Sequence, residues 1–397
     1  MHIRSAFKPR PPLKIVIIAD DFTGAAEAAG VGYRHGLPAE VAFRAVTDGA
    51  AALAIDTDTR LCRPAAARLA LRAEGEKLTR LRGRLIFKKV DSVLRGNVYA
   101  ESVALAKALG KAGVILVPAN PTMGRIIKDG RYYIGGIPVA RTFFRDDPHH
   151  PIRDSRIGQM LGAADAVVVR RTGDGARSGE FTVGEAACEE DLRYWARQVN
   201  DRFLPVGGAE FLAAVIQAAG RTATKPAFLG PPCSPALWIA GSASEVCRSH
   251  LKKARERGAP VFGMPRPLRG PRWLTSSPLV DWMGQIQGAL SASPLVAAAV
   301  GENASAPRFD TSRGIREGFA TLAEQLWHLR AYRHLMIEGG ATAAAILRRL
   351  GWTRLLVANE WSPGVVSLHP SGARDILVTV KPGSYAWPKS LLSFVNS

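Results

Sequence analysis

One stretch constrains the fold of this chain more than any other: Ile15-Val16-Ile17-Ile18-Ala19-Asp20-Asp21-Phe22-Thr23-Gly24-Ala25-Ala26. Its run of branched apolar residues predicts a strand buried on both faces, the kind found in parallel sheets. Two carboxylates follow where that strand should end, and the alanine-rich run to His35 reads as the helix of a β-α unit. In open α/β sheets, ligands sit in the crevice outside the carboxyl ends of the strands, so Asp20 and Asp21 stand where a ligand is expected. An Asp before a helix is also an ordinary N-cap, accepting hydrogen bonds from the first free amides. One cap accounts for one Asp. The adjacent second carboxylate points to a ligand-facing role for at least one of them.

The chain then repeats the pattern. Residues 40–43 and 51–55 read as short strands, the second ending in the polar cluster Asp56-Thr57-Asp58-Thr59-Arg60. Residues 64–81 have helical composition, residues 84–90 read as a strand, and a helix is expected from Val98 to Leu109. Between the last two lies Asp91-Ser92-Val93-Leu94-Arg95-Gly96-Asn97. Asp91 can accept from substrate hydroxyls, Arg95 offers a planar fork that matches a carboxylate or phosphate, and Gly96 lets the backbone approach closely. An Asp–Arg pair that only ties down a loop is the other reading of the same residues.

Residues 114–117 form the next expected strand, leading to Arg125, and residues 130–139 read as a hairpin. Residues 142–155 read as an irregular loop whose Asp146, Asp147, His149 and His150 lack the spacing of a helical metal site. A strand is expected at 166–169. An amphipathic helix is expected over 185–203, with Leu192, Trp195, Ala196, Val199 and Phe203 on its core face. A further helix begins near Gly207, and residues 220–235, rich in Thr, Lys, Gly and Pro, read as an inter-domain crossing.

Beyond that crossing three strands each run into a small-residue turn. Residues 236–240 lead to Gly241-Ser242-Ala243-Ser244, residues 334–338 to Gly339-Gly340-Ala341-Thr342, and residues 376–380 to Lys381-Pro382-Gly383-Ser384-Tyr385. A turn of this type opening a helix suits phosphate, because free amides and the helix dipole both favour an anion. Residues 315–329 read as a helix, while residues 260–313 carry no clear pattern. The expected fold class is α/β, with two domains (1–222 and 236–397) each built on a mostly parallel sheet flanked by helices.

Composition narrows the partners. A chain of 397 residues with 47% hydrophobic content is long for one core and rich enough for two. No stretch approaches the ~20 apolar residues of a membrane helix, and the basic Met1–Pro12 segment has no apolar signal core. Cys62, Cys188, Cys233 and Cys247 are scattered without a C-x-x-C pair, which fits a reducing cytoplasm. The formal charge of +19 is mostly arginine spread along the chain, with no zinc-finger spacing or RNP-type motif. No nucleic acid and no membrane are expected as partners, and a homodimer is left open. No P-loop, protein-kinase or G-x-G-x-x-G signature occurs.

Taken in order, these motifs resemble the four-carbon acid sugar kinase family, ATP-dependent kinases of erythronate-, threonate- and 3-oxotetronate-type acids. Ala19-Asp20-Asp21-Phe22-Thr23-Gly24-Ala25 is similar to that family's A-D-D-x-T-G-A, and Lys89 to Asn97 to its K-x-D-S-T-L-R-G-N. Val117-Pro118-Ala119 through Gly124-Arg125 and Asp147-Pro148 follow the pattern, as do Gly241 to Ser244 (G-S-x-S) and Gly339 to Ala343 (G-G-D-T-A). The resemblance implies a sugar-acid-binding first domain, a nucleotide-binding second domain and Mg2+-ATP as co-substrate. It places Asp20, Asp21, Lys89, Asp91, Arg95, Gly96, Asn97 and Arg125 at the acid, with Asp20, Asp21 and Asp91 as catalytic candidates. It places Ser242, Ser244, Gly339, Gly340, Ala341, Thr342, Lys381 and Gly383 around the nucleotide, and assigns no metal ligand. Val93 stands where Thr is usual, Ala341 where Asp is usual, and Lys381-Pro382-Gly383-Ser384-Tyr385-Ala386 where K-S-G-x-F-G is usual. The last two changes set a second reading beside the kinase: a sugar-acid-binding or regulatory protein whose nucleotide site has decayed.

Overall fold

The computed structural model describes residues 13–44, 49–81, 83–147, 149–224, 234–242, 244–269, 277–301 and 309–392. Met1–Pro12, Pro148, Cys233, Ala243 and most of the expected crossing (225–233) lie outside the described residues. The first half opens with β1 (Ile15–Ala19), α1 (Phe22–Arg34), β2 (Ala39–Ala42), β3 (Ala52–Asp56), α2 (Pro64–Leu78), β4 (Leu85–Lys89), α3 (Val98–Ala108) and β5 (Gly113–Val117). A small antiparallel sheet follows, made of β6 (Arg125–Lys128), β7 (Arg131–Ile134) and β8 (Ile137–Pro138). The half closes with α4 (Ile157–Met160), β9 (Val167–Arg170), β10 (Phe181–Gly184), α5 (Glu189–Gln198), β11 (Phe203–Gly207) and α6 (Ala209–Ala218). The second half runs β12 (Ala236–Ala240), α7 (Glu245–Glu256), β13 (Val261–Gly263), α8 (Ser277–Ala292), β14 (Leu295–Ala299), α9 (Phe309–His328), β15 (His334–Glu338) and α10 (Gly340–Arg349). It ends with β16 (Arg354–Ser362), β17 (Val365–Pro370), β18 (Leu377–Lys381) and α11 (Lys389–Leu392).

The long sheet is continuous through both halves, in the order β13-β14-β12-β15-β18-β17-β16-β2-β3-β1-β4-β11-β5-β10-β9. Within each half the core strands are parallel, with β1 between β3 and β4, and β15 between β12 and β18. The seam is antiparallel: β18 pairs with β17, β17 with β16, and β16 with β2. Strands of the second half therefore run opposite to those of the first along the sheet. On a flat sheet the two carboxyl edges would lie on opposite rims, yet the turns after β1 and β15 touch, as described below. The sheet folds over between them, and two register shifts in the β16–β17 ladder supply a local bend.

Helix α1 fills the fold. It is buried from Phe22 to Gly32 and packs on β3, β16, β17, α6 and α10. Its alanines and glycines are what that position demands: a Cβ on Gly32 would lie 2.6 Å from the Ala52 methyl, and one on Gly30 3.0 Å from Val366. Pairs from opposite halves close the seam, including Arg34 with Glu360 at 3.1 Å, Arg354 with Glu40 at 2.5 Å, and the Tyr33 hydroxyl donating to the Ala358 carbonyl at 3.1 Å.

Three sequence expectations change. The helix expected over 185–203 ends at Gln198, because Val199 is extended (φ −69°, ψ 124°), and Phe203 opens β11 instead of extending the helical face. Leu192, Trp195 and Ala196 are the core-facing residues of the true helix. The hairpin expected at 130–139 is a three-stranded sheet. The unassigned 260–313 region holds β13, α8, β14 and the start of α9.

Leu355 is fully buried at the seam, paired with Val41 of β2. Leu355→Ala is expected to destabilise the protein by about 2–5 kcal/mol, read by urea unfolding.

Candidate active site

The carboxyl ends of β3, β1 and β4 lie side by side and present one cluster. Asp20 and Asp21 follow β1, Arg60 comes from the loop after β3, and Asp91 and Arg95 follow β4. Arg60 is its centre. Its Nε and Nη2 donate to both oxygens of Asp20 at 2.8 and 2.7 Å, Nη2 also lies 2.9 Å from Asp21, and Nη1 lies 3.8 Å from Asp91. Arg95 forks onto Asp91 at 3.0 and 2.8 Å and reaches Asp147 at 3.0 Å, with its guanidinium over the Phe144 ring. The Asp91 carboxylate also accepts from the amides of Val93 and Arg95, which closes the turn. Gly96 has to be glycine here: its φ is +95°, and a Cβ would lie 3.2 Å from Asp20.

The cap reading of the Asp pair holds for Asp21. Asp21 caps α1, accepting from the Gly24 amide at 2.9 Å and the Thr23 hydroxyl at 2.8 Å, while Asp20 is given to Arg60. Burial opposes ionisation of Asp20 and Asp91, but Arg60 on the first, and Arg95 with Arg60 on the second, outweigh it. Both carboxyls are held below the usual carboxylate range. Asp56, one strand over, is the opposite case. Burial, then the charges of Asp58 and Asp21, push it up to about 8, and Arg348 stands 3.9 Å from Oδ2.

A second, buried layer backs the cluster. Lys88 and Lys89 point to opposite faces of β4, the first onto Glu101 at 2.7 Å and the second onto Glu27 of α1 at 2.9 Å. Arg125 projects into the cleft and donates to the Ser92 hydroxyl. No carboxylate lies within ion-pair distance of Arg125 among the described residues, unlike Arg60 and Arg95.

In the second half β12, β15 and β18 are neighbours, so their three turns converge. A Cβ on Gly383 would lie 2.5 Å from the Ser242 hydroxyl, and one on Gly241 2.6 Å from that of Thr342. Ser244 caps α7, accepting from the Cys247 amide at 3.1 Å, and donates to the Gly383 carbonyl at 2.7 Å. Ser242 borders a cavity of about 750 Å³ at the carboxyl ends of β12, β13 and β14, edged by Arg248, Lys252, Arg266 and Arg269. That volume is in the range of small-molecule and cofactor sites. Lys381, at the end of β18, lies at the base of these turns, its carbonyl accepting from the Gly339 amide at 2.9 Å, while its fully buried ammonium pairs with Glu338 at 3.2 Å beneath Trp387.

The halves meet at Gly340. A Cβ there would strike Oδ2 of Asp21 and lie 2.9 Å from the Thr23 hydroxyl, so the head of α10 rests on the start of α1. Beside this contact is a cleft of about 50 Å³ lined by Asp21, Glu27, Lys89, Asp91, Arg95 and Arg125, with Ser384 and Tyr385 from the other half. Thus the structure gathers Asp20, Asp21, Lys89, Asp91, Arg95, Gly96 and Arg125 at one end of the first half. Asn97 sits next to them but spends its amide on the carbonyls of Thr59 and Cys62. Ser242, Ser244, Gly339, Gly340, Ala341, Thr342 and Gly383 lie on the converging turns. Arg60, Glu27 and Tyr385 are the residues that sequence reasoning did not single out. Arg60 carried a signal, as a guanidinium closing a polar cluster at a strand end; Glu27, inside an alanine-rich helix, carried a fainter one.

Comparison with known proteins follows this division. A family profile described as a sugar-binding N-terminal domain matches residues 15–215, and one described as a nucleotide-binding C-terminal domain matches residues 237–385. A 3-oxo-tetronate kinase of Methylobacterium radiotolerans is 26% identical over 94% of this chain and 96% of its own. D-threonate kinases of Bordetella bronchiseptica and Cupriavidus necator are 27% and 30% identical, covering 94% and 88% of this chain and 94% and 89% of theirs. In fold, the chain is similar to a solved protein of Salmonella typhimurium LT2 (TM-score 0.76, 20% identity, 98% and 99% of the two chains covered). It is also similar to one of Haemophilus influenzae (TM-score 0.71, 20% identity, 96% and 99% covered).

Two outcomes are expected from this geometry. Gly340→Ala should push Asp21 aside and lower turnover by up to about 100-fold, with a loss of stability no greater than the roughly 0.5–2 kcal/mol of a helix cap. Asp56, ionised less readily folded than unfolded, should make stability fall as pH rises from about 4 to 8. Glu360, pushed up to about 7 chiefly by burial, adds a slope of the same sign, while His250 and His334, pushed down by burial to about 4 and about 3, add one of the opposite sign below about 6.5, so the readout is the difference between the parent and Asp56→Asn. In thermal melts across that window the parent should lose stability relative to the variant as pH rises. The acids held low, Asp20 and Asp91, act below pH 4 and do not interfere.

Proposed function

This chain belongs to the four-carbon acid sugar kinase family, and on that premise we propose that it transfers the γ-phosphoryl group of ATP to a hydroxyl of a four-carbon sugar acid of the threonate, erythronate or 3-oxotetronate type. The observation that carries this reading is the contact of Gly340 with Asp21. It sets the head of a helix, suited to phosphate, against the carboxylate that begins the acid half.

In this mechanism Arg125 holds the substrate carboxylate, because Arg60 and Arg95 are already neutralised by aspartates. The cleft, of about 50 Å³, is narrow for a four-carbon acid. Entry of an acid therefore requires side chains such as Arg60 to shift from their carboxylates. Asp21 orients the acceptor hydroxyl and takes its proton, because it lines the cleft and is the carboxylate that touches the head of α10 at Gly340. The amides at the head of α10 and the turns at Ser242 and Gly383 stabilise charge on the transferred group. The reaction is then chiefly one of positioning. Among the described residues no group of three or more His, Cys, Asp or Glu could hold a metal ion. Mg2+ carried by the nucleotide needs no such cage, being held mainly by phosphate oxygens and water, and it would offset charge on the phosphates. The domain division at residues 222 and 236, with acid bound by the first unit and nucleotide by the second, belongs to this proposal. So does a cytoplasmic location; among the described residues no helix is long and apolar enough to cross a membrane.

The test is ADP release from Mg2+-ATP with a panel of four-carbon acids, beside calorimetric titration of each ligand. Turnover with one acid is expected, and Asp21→Asn, which keeps a competent helix cap, should lower kcat by roughly 10²–10⁴-fold. Acid binding without ATP binding or turnover would overturn the kinase and leave a sugar-acid-binding protein.

A further inference from the structure

The acid cleft is not built by the first half alone. Tyr385, on the turn after β18, closes it from the nucleotide half. Its hydroxyl lies 3.3 Å from Oε1 of Glu27, whose Oε2 takes Lys89 at 2.9 Å. Its ring is seated against Gly364, where a Cβ would lie 2.6 Å from Cε2, so the hydroxyl cannot swing far. Burial, followed by Glu27, raises the phenol well above its ordinary value, which leaves it a protonated hydrogen-bonding group at neutral pH. Arg125 lines the same cleft and contributes to the charge around this phenol.

Three departures from the family pattern fall in this one place. Val93 and Pro382 lack the hydroxyls of the usual Thr and Ser, and Tyr385 adds one where Phe is usual; all three line the cleft.

Resting on the function proposed above, we propose that Tyr385 is a specificity-determining residue. Its hydroxyl, held by Glu27, hydrogen-bonds a hydroxyl of the sugar acid whose carboxylate is held by Arg125. The preferred substrate is then an acid with a hydroxyl on the side facing the nucleotide half, and the corresponding deoxy acid is rejected, because it leaves a buried polar pair unmatched.

Tyr385→Phe removes only the oxygen and keeps the ring, so folding is not at stake. For the full-length protein and this variant, kcat/KM is measured for the hydroxylated four-carbon acids and their deoxy counterparts, with KM for ATP alongside. The parent is expected to prefer its best hydroxylated acid by at least tenfold. In Tyr385→Phe that preference should fall by about tenfold, with KM for ATP within twofold of the parent. A purely structural role would shift both substrates together, or the melting temperature, without changing the ratio. An unchanged ratio in Tyr385→Phe overturns the inference while leaving the kinase intact. If no acid is phosphorylated, the same ratio is read from calorimetric dissociation constants, so failure of the kinase reading is distinguished from failure of this one. Binding of no acid at all would overturn both.

Discussion

The structure depends on the burial of α1 between two folded-over halves of one sheet. A helix covered on every side has no polar face to spare, and α1 accordingly carries little but Ala, Gly and Val through its buried length. Beyond Phe22 and Thr23 at its head, the exception is Glu27, which is matched by Lys89 from β4 and Tyr385 from the far half. Small side chains let β3 and β17 approach closely enough for the seam strands to pair. Larger ones would hold the halves apart and open the contact between Asp21 and Gly340. The same residues thus serve packing and the meeting of the two candidate binding sites.

Charge is the second organising element. The cluster at the ends of β3, β1 and β4 brings Asp20, Asp21 and Asp91 around one guanidinium, an arrangement that would be costly without Arg60. Buried pairs repeat the device behind it: Lys88 with Glu101, Lys89 with Glu27, and Lys381 with Glu338. Such pairs are weak evidence for stability, since desolvation offsets much of their attraction. Their effect is to hold side chains at fixed positions around a cleft, which is what a reaction governed by positioning requires. Arg125, with a hydroxyl for its partner, is the arginine of the cleft that has no carboxylate within ion-pair distance among the described residues.

Much of the fold was legible because parallel strands buried on both faces read as apolar runs, and β1, β4, β5, β12, β15 and β18 fall where those runs lie. The failures have equally local causes. Phe203 sits four residues after Val199 and continues the spacing of a helical face, so β11, with Pro205 and Gly207 inside it, was hidden behind α5. The β16–β17 hairpin mixes Trp361, Glu360 and Asn359 with apolar residues across two register shifts, which blurs the alternation of a half-buried strand. Arg95 was ambiguous in sequence between a ligand's carboxylate and a loop tie. In the structure its fork is occupied by Asp91 and Asp147.

What the sequence determined by itself is the chemistry at each strand end: the carboxylates after β1, the Asp–Arg turn after β4, and the small-residue turns after β12, β15 and β18. Those features are contiguous, and their residue types express local requirements of capping, close approach and anion contact. Only the tertiary structure decided which of them meet. Tyr385 and Glu27 are 358 residues apart in the chain, and nothing in either neighbourhood predicts their 3.3 Å approach. That contact, like the one between Gly340 and Asp21, follows from three antiparallel pairings at the seam and the folding of the sheet over α1. It is a property of packing between distant segments, and no local pattern in the chain records it.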